Sequence, residues 1–298
     1  DAQESRGLGD VYKRQILYQI DIKLCFSYIQ VTLKHVFVNS IWRGAMEIRG
    51  LSALVTGSSG FIGSRLAERL AMEEGVRVRA MVRNMKKAER LRKLPLEMVQ
   101  ADLLDLPSLR EAIRGCDLVF HCAAMVRETG DRRVFFRTNV EGTENMLKVS
   151  QEVGVKKFIH FSSVAVYGMN PPDFVDESTA YQPCGNLYCD TKIAGEKAVW
   201  SAYRETGLPI VVIQPANVYG PYSNPWTLRP IKLIQSGQMM LIDGGMGLCN
   251  YVYIDNLIDA TIAAAQSDSA VGQSYFCLLY TSDAADDLLC VDLGGRRI

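Results

Sequence analysis

The chain has 298 residues, 48% of them hydrophobic, which is enough to bury a full core in one large α/β domain or in such a domain plus a small lobe. Its 33 basic residues balance 33 acidic ones, so no global field draws it to nucleic acid or to an anionic membrane, and small, locally recognised partners are expected instead. The eight cysteines form neither paired C-x-x-C elements nor a secreted disulfide framework, and Cys184 and Cys189 lack a nearby histidine to complete a zinc site, so reduced thiols, a cytoplasmic location and no metal are expected.

In chain order, the two ends read differently from the middle. The segment from Ser5 to Gln15 resembles the conceptual translation of a transposase-type sequencing adapter, and Cys277 to Asp286, continuing through Ile298, resembles its opposite-end counterpart. Residues 1–45 are therefore expected to be a non-native leader, adapter plus translated upstream sequence, and residues 277–298 an adapter-derived tail that cuts the native chain after Phe276. The apolar stretch 16–38 is broken by Asp21, Lys23, Gln30 and Lys34, so no membrane span is expected there.

From Met46 onward, short apolar runs alternate with amphipathic stretches, the signature of βα units closing on a parallel sheet. Strands are predicted at Ser52–Thr56, Arg77–Val82, Glu97–Gln100, Leu118–His121, 157–162 and 209–214. Helices are predicted over 61–74, 107–114, 134–153 and 188–206, with Gly75 and Gly154 as stop signals. Residues 46–214 thus read as a Rossmann-type, doubly wound parallel sheet. Beyond Gln214, Pro215, Pro221, Pro225 and Pro230 mark loops and short elements, so 215–276 reads as a small, truncated substrate-binding lobe with returning Rossmann elements.

Gly57, Gly60 and Gly63, with Ser59, Phe61 and Ile62 among them, lie between the first strand and the first helix, where a dinucleotide loop belongs. The first glycine suits a tight turn, the second lets backbone N–H groups approach a pyrophosphate, and the third lets helix and strand pack closely. The spacing is G-x-x-G-x-x-G, and the bland alternative is a sharp turn alone. At the end of the second strand stands Arg83 in place of the acid that commonly holds a ribose 2′-hydroxyl, which favours NADP over NAD unless Arg83 is simply a solvated strand end.

Tyr188 and Lys192 open a predicted helix one turn apart on one face. A tyrosine near pKa ~10 is a poor base at neutral pH, and a neighbouring ammonium is expected to lower it into a working range for proton exchange with a substrate oxygen. Ser163 ends the fifth strand, at the edge where open α/β sheets build their sites, and suits a hydrogen bond to that oxygen.

Taken together, the glycine loop, Ala101-Asp102-Leu103, His121 to Ala124, Thr138 to Thr143, the serine strand end, the Tyr/Lys pair and Gln214 to Pro221 resemble the extended short-chain dehydrogenase/reductase superfamily, and within it the NAD-dependent epimerase/dehydratase family, over about Leu51 to Phe276. The resemblance implies Ser163, Tyr188 and Lys192 as the catalytic set, with Lys192 also bonding the nicotinamide ribose. It implies adenine contacts from Asp102 and Leu103, and backbone lining of the cofactor by Cys122, Ala123 and Ala124. Pro215 to Val218 would pass beside the nicotinamide, with Ser163, Val164 and Asn217 toward substrate; Asn139 is left between a structural and a site role.

Dehydratases of this family carry an Asp-Glu pair where this chain has Val164 and Ala165, so dehydration is a minor expectation. Oxidoreduction between an alcohol and a ketone, with exchanging cofactor, stands beside nucleotide-sugar epimerisation with retained NAD. A non-catalytic dinucleotide-binding module is the third reading. The expected partner is a small molecule, a nucleotide sugar or another hydroxy or keto compound, and a homodimer is left open.

Overall fold

The computed structural model describes residues 46–127, 129–169, 175–240 and 250–278. The expected leader and nearly all of the expected tail lie outside these residues. Among those described, no helix is long and apolar enough to cross a membrane.

Seven parallel strands form the main sheet: β1 (Ser52–Thr56), β2 (Arg77–Val82), β3 (Glu97–Gln100), β4 (Leu118–His121), β5 (Lys157–Phe161), β6 (Ile210–Pro215) and β9 (Ser274–Cys277). Their spatial order is β3-β2-β1-β4-β5-β6-β9, so the direction of winding reverses between β1 and β4. β1 and β4 to β6 are almost wholly buried, which is why they read as unbroken apolar runs rather than alternating ones. A short parallel pair, β7 (Asn217–Tyr219) and β8 (Tyr251–Tyr253), forms a separate ribbon beyond β6.

Helices cover both faces. On one side α1 (Phe61–Met72) packs with α7 (Ile254–Gln266) over a core that includes Val55, Phe120, Ile159, Ile213 and Leu257. On the other, α2 (Leu106–Ile113), α4 (Gly142–Val153) and α5 (Leu187–Thr206) cover Leu54, Val119, Phe158 and Val212. A short helix, α6 (Arg229–Gln235), follows β7 and keeps little of its apolar surface covered.

The doubly wound reading holds, with two differences of detail. The seventh strand, β9, lies in the stretch that the sequence pattern marks only as returning elements. Its four residues carry too little pattern to separate it from a loop, and pairing with β6, Val212 opposite Ser274 through Pro215 opposite Cys277, makes it a strand. The helix expected over 134–153 begins earlier, as α3 (Arg132–Phe136), and passes through a π turn at Arg137–Glu141 before α4. Periodicity does not reveal one inserted residue, yet the turn moves Asn139 inward.

Candidate active site

The glycine turn, the Cys122 to Ala124 stretch, Ser163 and the Pro215 to Val218 stretch follow the carboxyl ends of the neighbouring parallel strands β1, β4, β5 and β6, while Tyr188 and Lys192 come from α5. After β1, Gly57 adopts φ +67, and a Cβ there would come within 2.9 Å of the Ala123 backbone. A Cβ on Gly63 would fall 2.5 Å from the Gly57 carbonyl oxygen. Both glycines are therefore dictated by close backbone approach rather than by flexibility. Gly60 closes the turn through its N–H to Gly57 O at 2.9 Å and leads into α1, whose first turn presents the N–H groups of Phe61, Ile62 and Gly63. Ser59 and Gly60 are exposed, while Ser58 is buried and donates to Val55 O at 2.6 Å. This turn at a helix start fits a pyrophosphate: the backbone supplies the donors, and Gly57, Gly60 and Gly63 bring no side chain of their own.

Cys122, Ala123 and Ala124 line the opposite wall after β4. Thr56 ties the two walls, accepting from Ala123 N at 3.1 Å and meeting His121 Nδ1 at 2.9 Å. Burial pushes the Cys122 thiol above its ordinary value, consistent with a packed residue rather than a nucleophile. Arg83 stands exposed after β2, its carbonyl accepting from Gln100 at 3.3 Å. Asp102 is exposed and its carboxylate accepts from Leu104 N at 2.9 Å, while Leu103 is buried in the core beside α4.

Ser163, 8% exposed, follows β5 in extended conformation and begins a 3-10 turn over Val164–Tyr167. Its hydroxyl accepts from Ala165 N at 3.2 Å and lies near enough to the Tyr188 phenol to favour its ionisation. Tyr188 sits in the first turn of α5 because Asn186 caps that helix, its Oδ1 accepting from Tyr188 N at 2.9 Å and Cys189 N at 3.2 Å. One turn on, Lys192 is 6% exposed and donates to the Phe161 carbonyl at 2.8 Å, with its ammonium 5.9 Å from the Tyr188 ring centre. Three residues from two distant segments thus meet as a unit.

The electrostatics correct one expectation. Burial raises the Tyr188 phenol above its usual value, opposed by the nearby Ser163 hydroxyl, so the phenol is not lowered as the spacing suggested. The reason is desolvation: half-buried phenolate loses water, and the neighbouring ammonium spends its hydrogen bond on a strand-end carbonyl. Burial also brings Lys192 down to about 8, with Glu196 working against that fall.

Pro215 is buried at the end of β6, and Ala216 N donates to Cys277 O at 3.0 Å. Asn217 is half-buried and Val218 buried in β7, next to an aromatic cluster of Tyr219, Tyr251, Tyr253 and Trp226. Val164 is half-buried beside Ser163.

Asn139 resolves as a brace. Buried in the π turn, it accepts from Met125 N at 2.7 Å and donates to Met125 O at 3.2 Å and Thr191 Oγ1 at 3.0 Å, tying the β4 loop to α5. Sequence reasoning did not single out Glu196, Tyr181 or Thr191. Glu196 stands one turn beyond Lys192 on the same helix face, so the i, i+4, i+8 spacing of Tyr188, Lys192 and Glu196 is the signal that marked it.

A sequence profile of the NAD dependent epimerase/dehydratase family matches residues 53–276. Cinnamoyl-CoA reductase 1 of Petunia hybrida is 40% identical over 191 residues, covering 59% of this chain and 56% of that protein. 2-alkyl-3-oxoalkanoate reductase of Shewanella oneidensis is 28% identical over 245 residues, 78% of this chain and 62% of that protein. The chain therefore spans between half and two thirds of the length of these relatives. Among solved structures, UDP-glucuronic acid 4-epimerase of Bacillus cereus, in complex with UDP-glucuronic acid and NAD, aligns with a TM-score of 0.69 at 25% identity over 76% of this chain and 77% of that one.

Proposed function

The chain belongs to the NAD dependent epimerase/dehydratase family, and from that premise we propose that it is an NAD(P)-dependent reductase that converts a small ketone to an alcohol, with Tyr188 as proton donor. The observation that carries this reading is Tyr188 in the first turn of α5 beside a buried Lys192, whose ammonium bonds the Phe161 carbonyl two residues before Ser163. Ser163 holds the carbonyl oxygen and donates to it as negative charge develops there. Tyr188, kept protonated by burial, then delivers its proton to that oxygen. Lys192 fixes the strand end through Phe161 O and turns positive charge toward the phenol, easing its loss of a proton during the transfer.

A nicotinamide dinucleotide, when bound, supplies the hydride. The residues that would hold it are the Gly57–Gly63 turn with Ser59, Phe61 and Ile62, the Cys122 to Ala124 wall, Lys192 and the stretch from Pro215 to Val218, with Asp102 and Leu103 toward the adenine. Arg83 suits a 2′-phosphate and favours NADP. Val164 and Ala165, where dehydratases carry acids, speak against dehydration.

The alternative is nucleotide-sugar epimerisation with retained NAD, supported by the likeness to UDP-glucuronic acid 4-epimerase. Purified protein offered NADPH with a 2-alkyl-3-oxoalkanoate decides between them. Consumption of NADPH with formation of the alcohol supports reduction. Tightly retained NAD with no consumption, and interconversion of UDP-sugars, overturns it in favour of epimerisation.

A further inference from the structure

Behind the catalytic residues, the Glu196 carboxylate is fully buried and meets donors from three other parts of the chain. One oxygen accepts from the Ser162 hydroxyl, at the end of β5. The other accepts from the Tyr181 phenol at 2.8 Å, from Gln214 Nε2 at 2.9 Å and from Trp200 Nε1 at 3.4 Å. Gln214 in turn accepts from Tyr167 at 3.1 Å, at the end of the turn that Ser163 begins. Four donors on a buried carboxylate fit the ionised form, which has acceptor sites only.

We propose that Glu196 is a positioning residue that aligns the Ser163 strand end, the loop bearing Tyr181 and the β6 end, and that its negative charge keeps Lys192 an ammonium. This rests on the catalytic reading of Tyr188 and Lys192. The groups facing Lys192 are Tyr188 and Glu196 on its own helix, His121 and Cys122 at the end of β4, and His160 in β5. Burial holds both histidines neutral at working pH and the cysteine as a thiol, while the phenol is raised. Glu196 is then the anion of the group. Desolvation favours the neutral amine, and an ion of opposite sign one turn away opposes this.

The test uses NADPH and NADH as probes, with binding followed by nicotinamide fluorescence between about pH 6 and about pH 10, across the ordinary lysine range. In the wild type, affinity is expected to fall on the alkaline side as Lys192 loses its proton. Glu196→Gln keeps the volume and most of the hydrogen bonds but removes the charge. It should move that midpoint down by about one to two units, a loss of affinity of about fivefold to fiftyfold near the wild-type midpoint with little change at the acid end. A uniform weakening at all pH values, or an unmoved midpoint, overturns the proposal and leaves Glu196 a structural brace. Should the Gln variant not fold, Glu196→Asp carries the test, with a smaller downward shift expected and an unmoved midpoint again fatal. If neither dinucleotide binds the wild type, the proposed function fails instead, and a carbon-13 titration of Lys192 in the same variants still decides the role of Glu196.

Discussion

The two ends of β5 each hold a buried lysine, one in the strand and one against its last carbonyl, and the contrast between them separates a structural cation from the one proposed to take part in chemistry. At the amino end Lys157, 1% exposed, donates to the carbonyls of Ala265 and Ser267, each at 2.8 Å, and closes the carboxyl terminus of α7. A cation at a helix carboxyl end satisfies carbonyls left without intrahelical donors and complements the dipole. At the other end Lys192 donates to the single carbonyl of Phe161 and otherwise faces a phenol and a buried carboxylate. Burial lowers the pKa of both, so the shift does not distinguish them; their partners do. A buried charge becomes functional where its surroundings leave it acting on a group that can exchange a proton.

The comparison is broken most decisively at Tyr188. Tyr188→Phe should lower turnover by about 10²- to 10⁴-fold while leaving the thermal midpoint near the wild-type value. Unchanged turnover would reduce the carboxyl-end lysine to the status of its counterpart. Lys157→Met should do the reverse, costing about 1 to 3 kcal/mol in chemical denaturation through two unserved carbonyls, with turnover per folded molecule intact. A loss of turnover at full stability would put chemistry at the wrong end of the sheet.

The smallest effect sharpens the contrast from the middle of the same strand. His160 is buried, stacks on His121 at 5.6 Å, and its ring nitrogens meet no hydrogen-bond partner among the described residues. Burial lowers both histidines, His121 to about 3. Between those folded-state values and the ordinary ~6.5, the unfolded chain takes up protons that the folded chain refuses, so this stability is present above pH ~6.5 and lost as pH falls below it. Denaturation at descending pH should show the loss, at up to about 1.4 kcal/mol per pH unit for each histidine. His160→Phe should flatten the slope and raise stability at neutral pH by about 1 kcal/mol, since it removes an unpaired polar ring. An unaltered slope would place the acid sensitivity elsewhere.

Much of the fold was legible because it rests on local rules. Buried parallel strands read as apolar runs, Gly75 and Gly154 take positive φ where helices or their turns end, and Gly57 and Gly63 mark backbone crossings that exclude a Cβ. The one-turn spacing of Tyr188 and Lys192 was legible from the helical pattern, and it drew attention only beside the glycine loop and the serine strand end. What escaped was non-local. Asn139 looked ambiguous until the π turn swung it onto Met125 and Thr191, and β9 has no strand identity apart from β6.

The amino-acid sequence determined the succession of the first six strands with their helices and the tight glycine turn after β1, because each is written in short-range pattern and residue type. The tertiary structure decided which groups share a dry environment, and hence the sign of each titration. Tyr188 is raised where spacing alone suggested the opposite, and Glu196 gains its place only when Ser162, Tyr181 and Gln214 are brought around it. Desolvation depends on what surrounds an atom in space, and no local pattern along the chain encodes it.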